Sequence, residues 1–477
     1  MKKDLSIKNW ILGSWISNKP FCQLLFLANM LLIPFMTSAQ DKVFPAVISK
    51  DYDALWNDPA IEQRISEGIK KNRMGTATLQ FVDSKGKKLT NVEVRLEQTR
   101  HDFLFGANLF MLDGFPTPEE NRQYEKSFLS LFNYATIPFY WSDLEPEQGK
   151  PRYEKNSIPI YRRPPPDALV GFCQKNNIAM KGHPLVWHQW YPKWRPENPE
   201  EAMKLAEQRI KAIAERYKGS IKRWEVVNEP VERPFWAVKW FNLPDDYLVR
   251  SFVAAAKEFP KKNMMMINEA TTYSWLKFNG DSSLYYKMIR GLLDKGIRID
   301  EIGMQLHVFN ADVWKTVLDG KIHAPKDLFK VLDKYYEFGR PIAITELTIP
   351  TLPNTPEGEK TQSTVVRNWY RLWFSHPAVN GITWWNLVDA TAAPGEDKTN
   401  AGMFRRDFSE KLSANALHDL IKKDWWTIIN QNSGKNSDMK VQGFYGDYQV
   451  TAKCNGKTIT QNIHLEKNKK NIFTLKF

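Results

Sequence analysis

The sequence predicts an α/β fold: a (β/α)8 TIM barrel with a small accessory β-sandwich-like module formed by N- and C-terminal segments. Three observations carry that reading. Short apolar strands alternate with amphipathic helices over about 330 residues, which suits a closed barrel better than an open doubly wound sheet. No glycine-rich nucleotide loop accompanies any of these strands. Segments with a period of two flank the alternating region on both sides.

The elements follow in chain order. Residues 1–39 read as an export signal. Lys2, Lys3, Lys8 and Lys19 give a positive start, Phe21 to Met36 is an apolar run, and Thr37-Ser38-Ala39 supplies a small-residue end. At 16 residues that run is short for a membrane span, the alternative reading. Residues 40–100 hold a leader with a helix over Ala60 to Lys71. Two strands of a small sheet follow, Ala77-Leu79-Phe81 and Val92-Val94-Leu96, joined by a turn at Asp83 to Lys87.

Residues 101–430 are the expected barrel. Its strand signals are Phe103 to Ala107, Tyr134 to Phe139, Ala179 to His183, Arg223 to Asn228, Met264 to Asn268, Glu301 to Gln305, Pro341 to Glu346 and Gly381 to Trp385. Helices are expected between them at Pro165 to Lys175, Pro199 to Tyr217, Asp245 to Glu258, Ser282 to Lys295, Pro325 to Phe338 and Glu359 to Phe374. Residues 437–477 return to period two, with a turn at Asn455-Gly456. Neither terminal hairpin buries much alone, so these strands are expected to pack with the 75–97 strands as one module.

Composition narrows the function. The chain has 477 residues, 42% hydrophobic and 13% aromatic, enough for a large core and compatible with an aromatic-lined cleft. The net charge of +13 falls to +10 without residues 1–39. Its basic clusters, Lys422-Lys423 and Lys467 to Lys470, carry no nucleic-acid motif, so the excess reads as solubility or attraction to an anionic polymer. Cys173 and Cys454 lack both a disulfide framework and metal-ligand spacing, and both are expected free.

The chemistry lies where strands end. Gly182-His183, Asn228-Glu229-Pro230, Gln305-Leu306-His307 and Thr345-Glu346-Leu347 close four strands, and C-terminal strand ends of a barrel face one pocket. A carboxylate there is either a site residue or a buried ion-pair partner. Two facing carboxylates are what retaining glycoside hydrolysis needs, one attacking the anomeric carbon and one trading protons, about 5 to 5.5 Å apart. Two His with neither metal spacing nor an acidic cluster argue against a metal site at His183 and His188.

Five segments resemble glycoside hydrolase family 10, the endo-β-1,4-xylanase family. Trp224-Glu225-Val226-Val227-Asn228-Glu229-Pro230 looks like its acid/base strand. Ile344-Thr345-Glu346-Leu347-Thr348-Ile349 resembles its nucleophile strand, usually written ITELDI, with Thr348 in place of the Asp. Gly182 to His188, Ile302 to His307 and Gly381 to Asn386 match three further strands in the right order. The resemblance implies Glu229 as acid/base and Glu346 as nucleophile. It implies that Asn228 binds the 2-hydroxyl of the cleavage-site sugar, His307 orients the nucleophile, His183 contacts the same sugar and Trp385 lies below it. Trp187, His188 and Gln305 line or support the pocket.

Two departures stand out. The family's second strand carries Glu-Asn and then Lys-Trp; here Phe132-Asn133, Trp141 and Glu145-Pro146 survive, while Tyr140 stands where Lys is expected. After the last strand, Asp389 is followed by Ala390-Thr391-Ala392-Ala393-Pro394, without the family's Ser-Trp lid. Both changes touch sugar binding, with Tyr140 among the expected substrate-binding residues. The reading is therefore a retaining, endo-acting β-1,4-glycosidase for xylan or a related hemicellulose. It would be a monomer without cofactor, metal, nucleic-acid partner or membrane span in the mature chain, and secreted, periplasmic or held at the cell surface. The alternatives are a non-catalytic carbohydrate-binding protein on the same scaffold, or an enzyme for β-glucan or mannan. The terminal aromatics Phe444, Tyr445 and Tyr448 serve either sugar binding or packing.

Overall fold

The computed structural model describes residues 47–232 and 243–477; the expected export signal lies outside them. Two helices, Lys50–Trp56 and Pro59–Arg73, lead in. Strands β1 (Met74–Val82) and β2 (Glu93–His101) follow. The barrel strands are β3 (Leu104–Asn108), β4 (Tyr134–Pro138), β5 (Ala179–His183), β7 (Arg223–Asn228), β8 (Met264–Glu269), β9 (Glu301–His307), β10 (Ile342–Thr348) and β11 (Val379–Trp384). A two-residue strand, β6 (Val186–Trp187), extends β7.

These strands form one parallel sheet in the order β5-β4-β3-β11-β10-β9-β8-β7-β6. Pairing of Lys181 with Arg223 and Gly182 with Trp224 joins β5 to β7 and closes the barrel. Closure pairs each of the eight main strands on both sides, and helices cover the outside, so most strand positions are buried on both faces. Gly182 is required at the closure, because a Cβ there would meet the Trp224 ring at 2.2 Å.

The helices begin where the sequence provides caps. Asn198 accepts from the Glu200 and Glu201 N–H groups and Pro199 takes the first turn, starting Pro199–Tyr217. Thr117 and Glu120 form a reciprocal capping box on Pro118–Leu131, the helix between β3 and β4 that periodicity alone did not reveal.

Both ends of the chain contribute to two further sheets. One has the order β13-β1-β16, the other β12-β2-β14-β15. Here β12 is Ile428–Asn432, β13 Asp438–Phe444, β14 Gly446–Cys454, β15 Lys457–Leu465 and β16 Ile472–Lys476. Leu79, Phe81, Val94, Leu96, Val450, Leu465 and Leu475 share their core. The sequence expectation of β1 and β2 in one sheet is corrected: each lies in a different sheet. Every second side chain of both strands points inward, and two half-buried strands joined by a short link satisfy that equally well as neighbours or as opposite layers. Phe444 and Tyr448 are buried packing residues, Tyr448 donating its hydroxyl to the Phe444 carbonyl. Tyr445 packs partly against the same core. Cys173 and Cys454 are both free and buried. Among the described residues, no helix is long and apolar enough to cross a membrane.

Candidate active site

The two carboxylates sit on strands that carry irregularities. On β10, Ile344 pairs with Met304 and Glu346 with Gln305, so Thr345 is an extra residue opposite a single step of β9. On β7, Glu225 pairs with Met266 and Val227 with Ile267, which leaves Val226 extra. Such bulges re-aim the side chains beyond them. Glu229 follows β7 with φ 53°, left-handed for a residue with a Cβ. Its N–H bonds the Asn268 carbonyl at 2.8 Å, which holds that strained conformation in place.

A chain of amides joins the carboxylates. Trp187 Nε1 donates to Glu229 Oε2 at 2.9 Å, and Gln305 Nε2 donates to Oε1 at 2.9 Å. The same Gln305 nitrogen reaches Asn228 Oδ1 at 3.1 Å. Asn268 Nδ2 donates to Asn228 Oδ1 and to Glu346 Oε1, both at 3.0 Å, while Thr345 donates its hydroxyl to Asn268 Oδ1 at 2.6 Å. Gly303 leaves room for this, since a Cβ there would meet Asn268 Oδ1 at 2.5 Å. With its carbonyl oxygen twice used, Asn228 keeps its amide N–H groups for the pocket.

The environments of the carboxylates differ. Burial pushes Glu229 up from 4.5 to about 8; the Gln305 and Trp187 bonds oppose it, and the charge of Glu346 adds to it. Glu229 is therefore protonated at neutral pH. Glu346 is 5% exposed and faces donors: Asn268, and His307 Nε2 at 3.4 Å from Oε2. His307 Nδ1 meets Thr348 Oγ1 at 2.8 Å, and the ring stacks on Phe309.

Behind them lies an ion cluster. Lys181 Nζ and His183 Nδ1 each contact a Glu225 oxygen at 2.8 Å, all three buried. Burial alone would raise Glu225, but the His183 and Lys181 charges outweigh it and hold the carboxyl well below its usual range. His183 Nδ1 is also 3.9 Å from Glu346, and its Nε2 is 2.9 Å from the Tyr140 hydroxyl. His183, Glu225 and Glu346 present atoms within 4.8 Å of one another, the spacing of a metal cluster. Lys181 already supplies the positive charge there, so the arrangement works as an ion-paired support.

Aromatic residues line the walls. Phe110, Tyr140 and Trp385 form a buried cluster apart from the main core, with Trp187 packed against it. Trp385 lies edge-on to Phe110, His183 and His307. Trp187 stacks on Trp190 at 5.3 Å and 6°, and Trp190 is 42% exposed. Where the resemblance expects Lys, the Arg163 guanidinium stands 3.9 Å over the Tyr140 ring and bonds Asp143 at 2.8 Å. Beyond β11, Lys411 pairs with Asp389 at 2.6 Å, while Arg162 and Tyr161 reach the Thr391 and Ala392 carbonyls. Arg405 and Arg406 pair outward with Glu359 and Glu120.

The structure thus brings His183, Trp187, Asn228, Glu229, Gln305, His307, Glu346, Trp385 and Tyr140 to one end of the barrel. Sequence reasoning missed Asn268, Lys181, Glu225, Glu269 and Arg163. Lys181 and Glu225 carried a signal, as charges inside strands that are otherwise apolar. Asn268 and Glu269 carried a weaker one, ending β8 as Asn228 ends β7. Glu269 accepts from the Val231 and Ala270 N–H groups at 2.8 and 2.9 Å, anchoring the turn after Glu229. Its burial raises its own carboxyl well above the usual range.

The chain is 26% identical over 297 residues to endo-1,4-beta-xylanase B of Thermotoga neapolitana, covering 59% of this chain and 78% of that protein. It is 26% identical over 410 residues to anti-sigma-I factor RsgI6 of Acetivibrio thermocellus, covering 84% of this chain and 47% of the relative. Against endo-1,4-beta-xylanase 1 of Arabidopsis thaliana it is 26% identical over 390 residues, 80% of this chain and 36% of that protein. The chain therefore spans less than half the length of two of these three relatives. The fold is shared with xylanase 10B from Thermotoga petrophila, solved with xylobiose, at TM-score 0.56 and 23% identity, covering 68% of this chain and 95% of that one. The sequence model described as glycosyl hydrolase family 10 matches residues 119–420. That match takes in more than half of the chain and the strands bearing both carboxylates, and the chain belongs to glycosyl hydrolase family 10.

Proposed function

We propose that this chain is a retaining, endo-acting β-1,4-glycoside hydrolase that cleaves xylan or a related hemicellulose by double displacement. One observation carries the reading. The two pocket carboxylates sit in different surroundings, Glu229 pushed up to about 8 by burial and Glu346 receiving N–H donors from Asn268 and His307. Glu346 attacks the anomeric carbon as the bond to the leaving oxygen breaks, and that oxygen takes the Glu229 proton. Glu229, now a carboxylate, removes a proton from water; the water oxygen bonds the anomeric carbon and Glu346 departs. The free Asn228 amide donates to the 2-hydroxyl, a contact that strengthens in the transition state. Trp385 and the Trp187–Trp190 stack hold sugar rings.

Several relatives, among them endo-1,4-beta-xylanases of Thermotoga neapolitana and Arabidopsis thaliana, support the xylan assignment. The sequence of residues 1–39 supports export, so the mature chain works outside the cytoplasm, as a monomer; its N-terminus, read by mass spectrometry, is expected near Ala39. The activity test is reducing-sugar release from xylans, β-glucans and mannans, with the product anomer read by NMR, beside Glu229→Ala and Glu346→Ala. β-Anomer released from xylan and lost in both variants is the expected result. Release only from another polymer moves the substrate. Silence across the panel from folded protein, with glycan binding retained, replaces the enzyme by a carbohydrate-binding protein.

A further inference from the structure

We propose that Thr348 is a positioning residue whose hydroxyl fixes His307 as a neutral imidazole, with its proton on Nε2 and aimed at Glu346. Its catalytic consequence rests on the reading of Glu346 as nucleophile; its structural content does not.

The argument is one of hydrogen-bond accounting. Thr348 is fully buried, and its hydroxyl has His307 Nδ1, at 2.8 Å, as its hydrogen-bond partner among the described residues. A hydroxyl donates one hydrogen and accepts others; an imidazole nitrogen donates or accepts according to its tautomer. With the proton on Nδ1, the ring donates to Thr348, the hydroxyl hydrogen is stranded, and a bare Nε2 faces the Glu346 carboxylate at 3.4 Å. In the doubly protonated ring the contact to Glu346 is sound, but the hydroxyl hydrogen is stranded again. Only the neutral ring with its proton on Nε2 satisfies all three groups: Thr348 donates to Nδ1 and Nε2 donates to Glu346.

The surroundings agree. His307 N–H donates to Thr271 Oγ1 at 2.8 Å, which fixes the backbone, and Phe309 stacks on the ring at 4.6 Å. Among the described residues, hydrogen bonds and ion pairs link it to Glu346 on β10, and through Glu346 to His183 on β5 with Glu225 on β7 behind it; Glu229 is held by Gln305, on the same strand as His307. Trp385 contributes an uncharged edge. Glu346 is the carboxylate adjacent to the ring, and a neutral donor holds it without cancelling the negative charge it needs for attack. A carboxylate at position 348 would instead draw the proton to Nδ1 and put a positive charge on the ring.

The test reads the tautomer directly. Side-chain 15N shifts of His307 in the whole protein at pH 7, assigned with His307→Asn, should show a pyridine-type Nδ1 and a pyrrole-type Nε2. The reverse pattern, or two imidazolium-type nitrogens, overturns the proposal. Thr348→Ser should keep the pattern and hold kcat within about twofold of the parent. Thr348→Val should lose the single tautomer and lower kcat about tenfold, with KM within about twofold. Thr348→Asp should yield the charged ring and a shifted pH profile. A Val variant that keeps both the tautomer and kcat also overturns it. The expected shifts in a protein that cleaves no glycan would retain this inference and remove the hydrolase reading, so the two failures are distinguishable.

Discussion

Replacing Glu229 by Gln should abolish cleavage and at the same time change how stability depends on pH. Burial raises the Glu229 pKa from 4.5 to about 8, so between those values the folded chain holds a proton that the unfolded chain has released. Stability linked to this group is full below the unfolded pKa and is lost as pH rises through that window. From pH 5 to pH 7 the loss is about 2 to 3 kcal/mol: two pH units, each a tenfold change in the equilibrium, less a small discount for unfolded carboxyls still protonated at pH 5. Gln cannot release a proton, so the variant escapes this loss. It has its own cost, because its NH2 must face one of the two donors, Trp187 or Gln305, at about 1 kcal/mol. That cost does not vary with pH and cancels when the two pH values are compared. Equilibrium urea unfolding followed by tryptophan fluorescence at pH 5, 6 and 7 measures the gap. The variant should gain about 2 to 3 kcal/mol on the parent over this range. A constant gap would refute the claim that the pocket keeps Glu229 protonated by burial.

Three other perturbations test separate parts of the site. Gln305→Ala removes a hydrogen bond that lowers the Glu229 pKa, so the alkaline limb of the kcat/KM profile should move upward while the rate falls roughly tenfold or more. A limb that moves downward contradicts the assignment. Lys181→Met leaves Glu225 buried with His183 as its remaining side-chain partner, and should cost about 3 to 5 kcal/mol in unfolding experiments. An unchanged melting temperature would show that Lys181 carries no structural weight. Arg163→Ala takes the cation off the Tyr140 face and strips Asp143 of its salt-bridge partner. It should raise KM for xylo-oligomers by roughly threefold to tenfold, as expected for a contact of about 1 kcal/mol. Unaltered steady-state kinetics would place Arg163 outside sugar recognition.

How much of this was legible beforehand varies with how local the signal is. Eight strand signals proved to be the eight main barrel strands, with ends shifted by a few residues at most, because a strand buried on both faces is a continuous apolar run bounded by polar groups. Pro118–Leu131 was missed because its apolar positions, Tyr124, Phe128 and Leu131, are few, while its capping signal Thr117-Pro118-Glu119-Glu120 is strong. Among site residues, those in recognisable strand-end motifs were found. Those at a strand end without a recognised motif, such as Asn268, or on a distant loop, such as Arg163, were not, since nothing in the chain says which strand ends meet or which loop leans over which ring. That Tyr stands at position 140 was visible; that the Arg163 guanidinium lies over its ring was not.

The sequence by itself determined the barrel, the two carboxylates and the polar strand ends, because hydrophobic period and motif are properties of short segments. Tertiary structure alone decided that β1 and β2 part into opposite sheets, and that bulges at Val226 and Thr345 turn the carboxylates into the pocket. It alone decided that Asn268 and Gln305 link Glu229 to Glu346 through Asn228. Register and burial arise from contacts between residues far apart in the chain, and the protonation of Glu229 depends on what closes around it.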